Sequence, residues 1–218
     1  GELLAVVREF EDRGPICAVH EEEMPALEGI GCDLCVRGSD DAIEAERAAL
    51  SSVRQATRRL ASAHGVTDHI PNVGTNVGTA IPDATDQTDV AAIPGRLQAV
   101  GSRVIVPADP EFGASQHVAE TILAAMAVDP PVRGALNLTT TDGLLAAARE
   151  RGHDPLQFEA GYESRGERLR ERFESRGEVP RVIYHKGAFG IPPTAYVFGE
   201  TATEATERAI GLLDASER

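Results

Sequence analysis

Lysine is almost missing from this sequence. Of 21 basic residues only Lys186 is a lysine, against 35 acidic residues and a formal net charge of −14. Many carboxylates with so little lysine suit a cytoplasm at molar salt, where the screening length falls to about 3 Å and a densely acidic surface stays hydrated. A GC-rich genome produces the same preference for arginine. So acidic a chain lacks the clustered Lys and Arg that nucleic-acid binding needs, and contact with DNA would have to come from outside this sequence. Also missing is any apolar run long enough to cross a membrane. The opening GELLAVVREFEDRG carries acids where the positive region of a signal peptide belongs, so a cytoplasmic location is expected. Gly1 opens onto what reads as mid-helix, and the chain is expected to be a fragment of a longer protein. Internal repeats and low-complexity tracts are absent too. The 218 residues suffice for one well-packed domain and a small appendage.

Cysteine is scarce as well, and all of it lies in CAVHEEEMPALEGIGCDLC. Three cysteines within nineteen positions cannot all pair, and in a cytosolic protein this favours metal binding over a disulfide framework. Cys17 and His20 form one C-x-x-H pair and Cys32 and Cys35 one C-x-x-C pair, the usual ligand set of a closed, structural zinc site. An iron–sulfur cluster is the less favoured cofactor, since histidine ligation of clusters is rarer. Glu21 to Glu23 offer substitutes for His20, and three reduced buried cysteines with a surface histidine remain the plainer alternative.

Helical spacing of Leu3, Leu4, Val7 and Phe10 predicts a short helix before Gly14-Pro15. Ser39-Asp40 offers an N-cap for a longer one reaching about Ala63. Its stripe of Ile43, Leu50, Val53 and Leu60 is narrow, which suits a helix–helix seam: a homodimer contact, or the link to an upstream domain. From His69 the texture changes to alternating strands and helices. GRLQAVGSRVIVPADP reads as two strands around a turn, VRGALNLTT, PRVIYHKG and PTAYVFGE as further strands, and ASQHVAETILAAM as a helix. The helix ESRGERLRERFESRG reads as very polar and exposed. Strands that follow one another directly point to a mixed sheet with helices on both faces.

Binding loops cluster at strand ends and helix starts. The residues there are Gly74-Thr75-Asn76, Pro94-Gly95-Arg96, the run from Glu111 to His117, Arg133 with Asn137, and His185-Lys186-Gly187. Ser115 and His117 fall in the first turn of a helix whose amides attract anions. Arg96 and Arg133 are candidates to clamp phosphate bidentately. The plainer alternative makes the histidines solvated or capping residues and the arginines surface ion-pair partners.

The run IPNVGTNVGTAIPDA…DVAAIPGRLQAVGSRV…PEFGASQHVAETILAAM…VRGALNL, ending in VIYHKGAFG, closely resembles the archaeal-type thiamine-phosphate synthase domain, ThiN, over about residues 66 to 214. EFGASQHVA and the IPGR box carry most of the resemblance. It implies an α/β three-layer α/β/α sandwich around a mixed, largely antiparallel sheet, similar to the class II aldolase fold. It also implies either of two settings. Behind a pyrimidine kinase the domain joins hydroxymethylpyrimidine diphosphate to thiazole phosphate; behind a helix-turn-helix domain it looks like the thiamine-phosphate sensor of a repressor.

No ribokinase-like sequence precedes residue 66, and the cysteine segment with its seam helix looks like a repressor-type connector. Arg96 and His117 match positions the enzymes need. Around His185 the chain departs from the enzyme pattern, with Lys186 and Ile191-Pro192-Pro193. The expectation is therefore a helical metal-binding connector over 1–64 and a thiamine-phosphate-binding domain over 65–218. It would serve as the sensing fragment of a halophilic archaeal regulator whose absent N-terminal domain meets DNA. Thiamine monophosphate or diphosphate would lie against Asn76, Arg96, Ser115, His117, Arg133, Asn137 and His185. The alternative is the synthase itself, with Arg96 and His117 in catalysis and a magnesium ion as an aid.

Overall fold

The computed structural model describes residues 40–161 and 163–216. The chain divides into two units, Gly1–Ala45 and Glu46–Arg218, and the described part of the first is only the opening of a helix. Cys17, His20, Cys32 and Cys35 lie outside the described residues. Among the described residues no group of His, Cys, Asp or Glu is placed to hold a metal ion.

The larger unit is a mixed α/β domain. Helix α1 (Asp40–Ser62) leads to strands β1 (Val77–Ala80) and β2 (Val90–Ala92). A two-stranded ribbon, β3 (Gln98–Val100) and β4 (Arg103–Ile105), follows, then β5 (Glu111–Phe112) and helix α2 (Gln116–Met126). Next come β6 (Gly134–Thr139), α3 (Asp142–Glu150), β7 (Leu156–Gln157), α4 (Arg165–Arg176), β8 (Val182–His185), β9 (Thr194–Gly199) and α5 (Ala202–Ser216). Seven strands form one sheet in the order β5-β2-β1-β6-β9-β8-β7, antiparallel except for β7 against β8.

Strand side chains alternate between faces, and the core divides accordingly. Leu136, Leu138, Val182, Ala195 and Val197 join one apolar cluster with residues of α1, α3 and α5. Ala135, Ile183, Tyr196 and Phe198 join a second with residues of α2 and α4. In that second cluster Phe173 and Phe198 meet edge to face, with centroids 6.0 Å apart at 84°. Gly134 and Gly199 let α5 press onto β6 and β9: a Cβ on Gly134 would stand 2.1 Å from the Thr201 carbonyl carbon.

Two expectations about helices need correcting. The seam helix does not stand apart. Its buried residues Ala49, Val53, Ala56 and Leu60 belong to the domain core, because small alanines widen a stripe that looked narrow when only large residues were counted. The arginine-rich helix α4 is not simply exposed either. Arg165, Leu169 and Phe173 recur every fourth residue, share one face, and are all buried.

Candidate functional site

An open cleft with about 470 Å³ of empty space sits where β1 and β9 begin and β8 ends. Antiparallel pairing brings these termini together, so loops distant in sequence meet at one rim. On one side, the turn Pro94-Gly95-Arg96 takes positive φ at Gly95 (77°) and at Arg96 (63°). For a non-glycine residue the left-handed region costs about 1–2 kcal/mol, so the surroundings must hold Arg96 in place. They do: Arg96 Nη1 donates to the Val73 carbonyl at 2.9 Å, and Thr75 and Leu97 exchange backbone hydrogen bonds of 3.0 and 2.7 Å. Gly74, at φ 86°, makes this possible, since a Cβ there would lie 2.9 Å from both Arg96 Cβ and the Leu97 carbonyl oxygen.

Asn76 and Asn137 fasten the same loops from below. Asn76 Oδ1 accepts from the Val77 and Ile93 amides, each at 2.9 Å, and its Nδ2 donates to the Ile93 carbonyl at 2.9 Å. Asn137 Nδ2 donates to the Gly74 carbonyl at 3.1 Å. Both side chains line the cleft, yet most of their hydrogen-bonding capacity goes into shaping it.

Ser115 is the N-cap of α2 but makes no side-chain cap. His117, in the first turn, is half-buried; burial and the charge of Arg165 hold its pKa below the ordinary histidine value. His185 ends β8 and is buried. Burial first, and then the Arg165 charge, push its pKa down to about 4, so it is neutral near pH 7. Its Nδ1 accepts the Gly187 amide at 3.2 Å, which places the neutral ring's proton on Nε2. The His185 ring also meets the edge of Phe158 at 5.0 Å.

Six of the seven expected ligand residues therefore line one cleft: Asn76, Arg96, Ser115, His117, Asn137 and His185. Arg133 does not. It precedes Gly134, which pairs with Thr79 and Gly199 at the far end of β6, whereas Asn137 lies toward the cleft end. Both stood at ends of one strand, and only its pairing says which end faces the cleft. Lys186 is exposed and is not among the lining residues.

Arg165, Thr194 and Tyr196, which no sequence motif singled out, also line the cleft. Arg165 is 4% exposed, with its guanidinium carbon 4.6 Å from the Tyr196 ring centroid and 5.5 Å from that of Phe158. Its alignment with Leu169 and Phe173 was the available signal. Among the described residues no carboxylate lines the cleft. The described residues thus offer it two arginines, two histidines and no acid, in a chain whose net charge is −14. They also offer a magnesium ion no anionic ligand there, and so do not fit one.

The profile of the family described as "Thiamine-phosphate synthase ThiN" matches residues 52–211. The chain belongs to the ThiN family. It is 30% identical over 174 residues to "Thiamine-phosphate synthase ThiN" of Methanothermobacter thermautotrophicus, covering 75% of this chain and 92% of that one. To "Bifunctional thiamine biosynthesis protein ThiDN" of Methanocaldococcus jannaschii it is 32% identical over 145 residues, 64% of this chain and 34% of the relative. Among solved structures, the C-terminal domain of phosphomethylpyrimidine kinase aligns with a TM-score of 0.69 at 28% identity, covering 77% of this chain and 99% of that domain.

These names correct the expectation of a sensor from a regulator of thiamine genes. ThiN relatives named as a synthase and as a biosynthesis protein point to an enzyme. The regulatory reading rested on the cysteine segment, the seam helix, the lack of ribokinase-like sequence before residue 66 and the departure from the enzyme pattern around His185. The family match begins inside that helix, which packs into the domain.

Proposed function

We propose that the chain is a thiamine-phosphate synthase that joins hydroxymethylpyrimidine diphosphate to thiazole phosphate. The observation that carries this reading is a cleft lined by two arginines and, among the described residues, by no acid, in an otherwise acidic protein, suited to a pair of phosphorylated substrates. In the reaction the bond between the pyrimidine methylene carbon and the diphosphate oxygen breaks, and its electron pair leaves with pyrophosphate. The thiazole nitrogen supplies the pair for the new carbon–nitrogen bond and becomes quaternary. No oxidant enters and no proton need move.

Such chemistry asks the protein for positioning, anion stabilisation and exclusion of water. Arg96, preset by its constrained turn, binds a phosphate group. Ser115, uncommitted as a cap, and the first amides of α2 add donors. Neutral His185 donates from Nε2 without adding charge, and His117 faces the reacting groups. Val73, Val118, Ile191 and Pro192 supply apolar walls against water that would intercept a pyrimidine methyl cation. The three-layer, class II aldolase-like arrangement belongs to the same reading, and an apolar cluster on each sheet face supports it.

The test supplies both phosphorylated precursors in low and in molar salt, the latter because of the acidic surface, and follows thiamine monophosphate and pyrophosphate. Steady release of both in equal amounts is expected. Binding of thiamine phosphates with no turnover in either salt would overturn the reading.

A further inference from the structure

Arg165 is the one arginine of the cleft whose position has no structural explanation. It opens α4 after Ser164, which holds a positive φ of 45° and makes no side-chain cap. The side chain is buried, and its Nε and Nη2 find no hydrogen-bond partner among the described residues. Among the described residues no carboxylate pairs with it either; Tyr196 and Phe158 face it only with their rings. A buried guanidinium without an anion is costly, and cation–π contact recovers a fraction of that cost. Folding alone would favour an apolar residue here, as at Leu169 and Phe173 on the same helix face. Arg165 also borders a second hollow, but Glu159 and Glu171 line that one, whereas no acid among the described residues lines the cleft.

We infer that Arg165 forms the inner half of an anion site that takes the diphosphate group, with half-buried Arg96 serving the monophosphate of the second substrate. This assignment rests on the synthase reading. The diphosphate carries away the electron pair of the broken bond, so its site gains most from a cation already stripped of water. A monophosphate that only anchors its substrate needs positioning, which the hydrogen-bonded Arg96 turn provides.

The test compares wild type with Arg165→Met, Arg165→Lys and Arg96→Gln by calorimetric titration with inorganic pyrophosphate and with inorganic phosphate, and by melting without anions. The Met variant should lose at least about tenfold in pyrophosphate affinity and melt no lower than wild type, because an unpaired buried charge has gone. Arg96→Gln should keep pyrophosphate affinity within about threefold. Pyrophosphate binding within about twofold of wild type in the Met variant would overturn the inference, as would an equal loss in both arginine variants. Should the Met variant fail to fold, Arg165→Lys decides. Keeping the charge but losing the two-pronged donor, it should weaken pyrophosphate binding by about threefold or more, and unchanged binding would overturn the inference. Failure of the synthase reading shows separately, as wild type that makes no thiamine monophosphate while the titrations still settle Arg165.

Discussion

Asn137 Oδ1 accepts the backbone N–H of Asn76 at 2.7 Å, joining β6 to the loop that enters β1. The Asn76 carbonyl in turn accepts the Asn137 amide at 3.2 Å. Two asparagines that read as ligand contacts are thus the fastening beneath the Arg96 turn. Replacing Asn137 with Leu leaves the Asn76 amide and the Gly74 carbonyl buried and unpaired, at about 1–3 kcal/mol each. The expected result is a loss of about 2–6 kcal/mol in urea unfolding, together with a raised KM from a loosened Arg96 turn. Unchanged stability would mean that water replaces the side chain and that the fastening is dispensable.

Arg96 and Arg133 were equivalent candidates in the sequence and should now behave differently. Arg96→Ala should lower kcat/KM for thiamine monophosphate formation by about 10²-fold or more, the scale of a substrate misplaced by about 1 Å. Arg133→Ala, at the far end of β6, should stay within about threefold. Steady-state kinetics of the two variants measure this contrast, and similar losses in both would refute the placement of the cleft.

His185 should make stability depend on mild acid. Its folded pKa is pushed down to about 4, whereas an ordinary histidine titrates near about 6.5. Between these values the unfolded chain binds more protons. The histidine's contribution is therefore complete above about pH 6.5 and lost as the pH falls toward about 4. The slope approaches about 1.4 kcal/mol per pH unit at most. His117 and His153, also lowered, act in the same direction. Urea unfolding from pH 7 to 4 should show this decline, and in His185→Phe the decline should be shallower. Parallel curves for the two proteins would show that His185 does not contribute.

The cysteine segment makes its own prediction. Purified protein should carry about one equivalent of zinc, released by a chelator at acid pH as the thiolates protonate. The double change Cys32→Ser and Cys35→Ser should abolish it. Less than about half an equivalent in wild type, with all thiols free, would leave three ordinary cysteines.

The strands and helices around the cleft were readable because their signals are local. Short, mostly apolar runs mark β6 and β9, and the apolar positions of α2 and the Thr141 cap of α3, whose Oγ1 accepts the Leu144 amide, are written in adjacent residues. Six cleft residues were equally legible, since Gly-rich strand ends and a polar helix start carry their own punctuation, and the family motifs contain most of them. Three things were not. Which end of β6 meets the cleft is set by register with β1 and β9, a long-range pairing that no window of sequence contains. Whether α1 is a seam or a core helix depends on what lies opposite its alanines. Arg165 looked like one more solvated arginine on a polar helix, because its composition records charge and not burial. Only the packing of α4 against α2 and β9 buries that charge against the Tyr196 ring at the edge of the cleft.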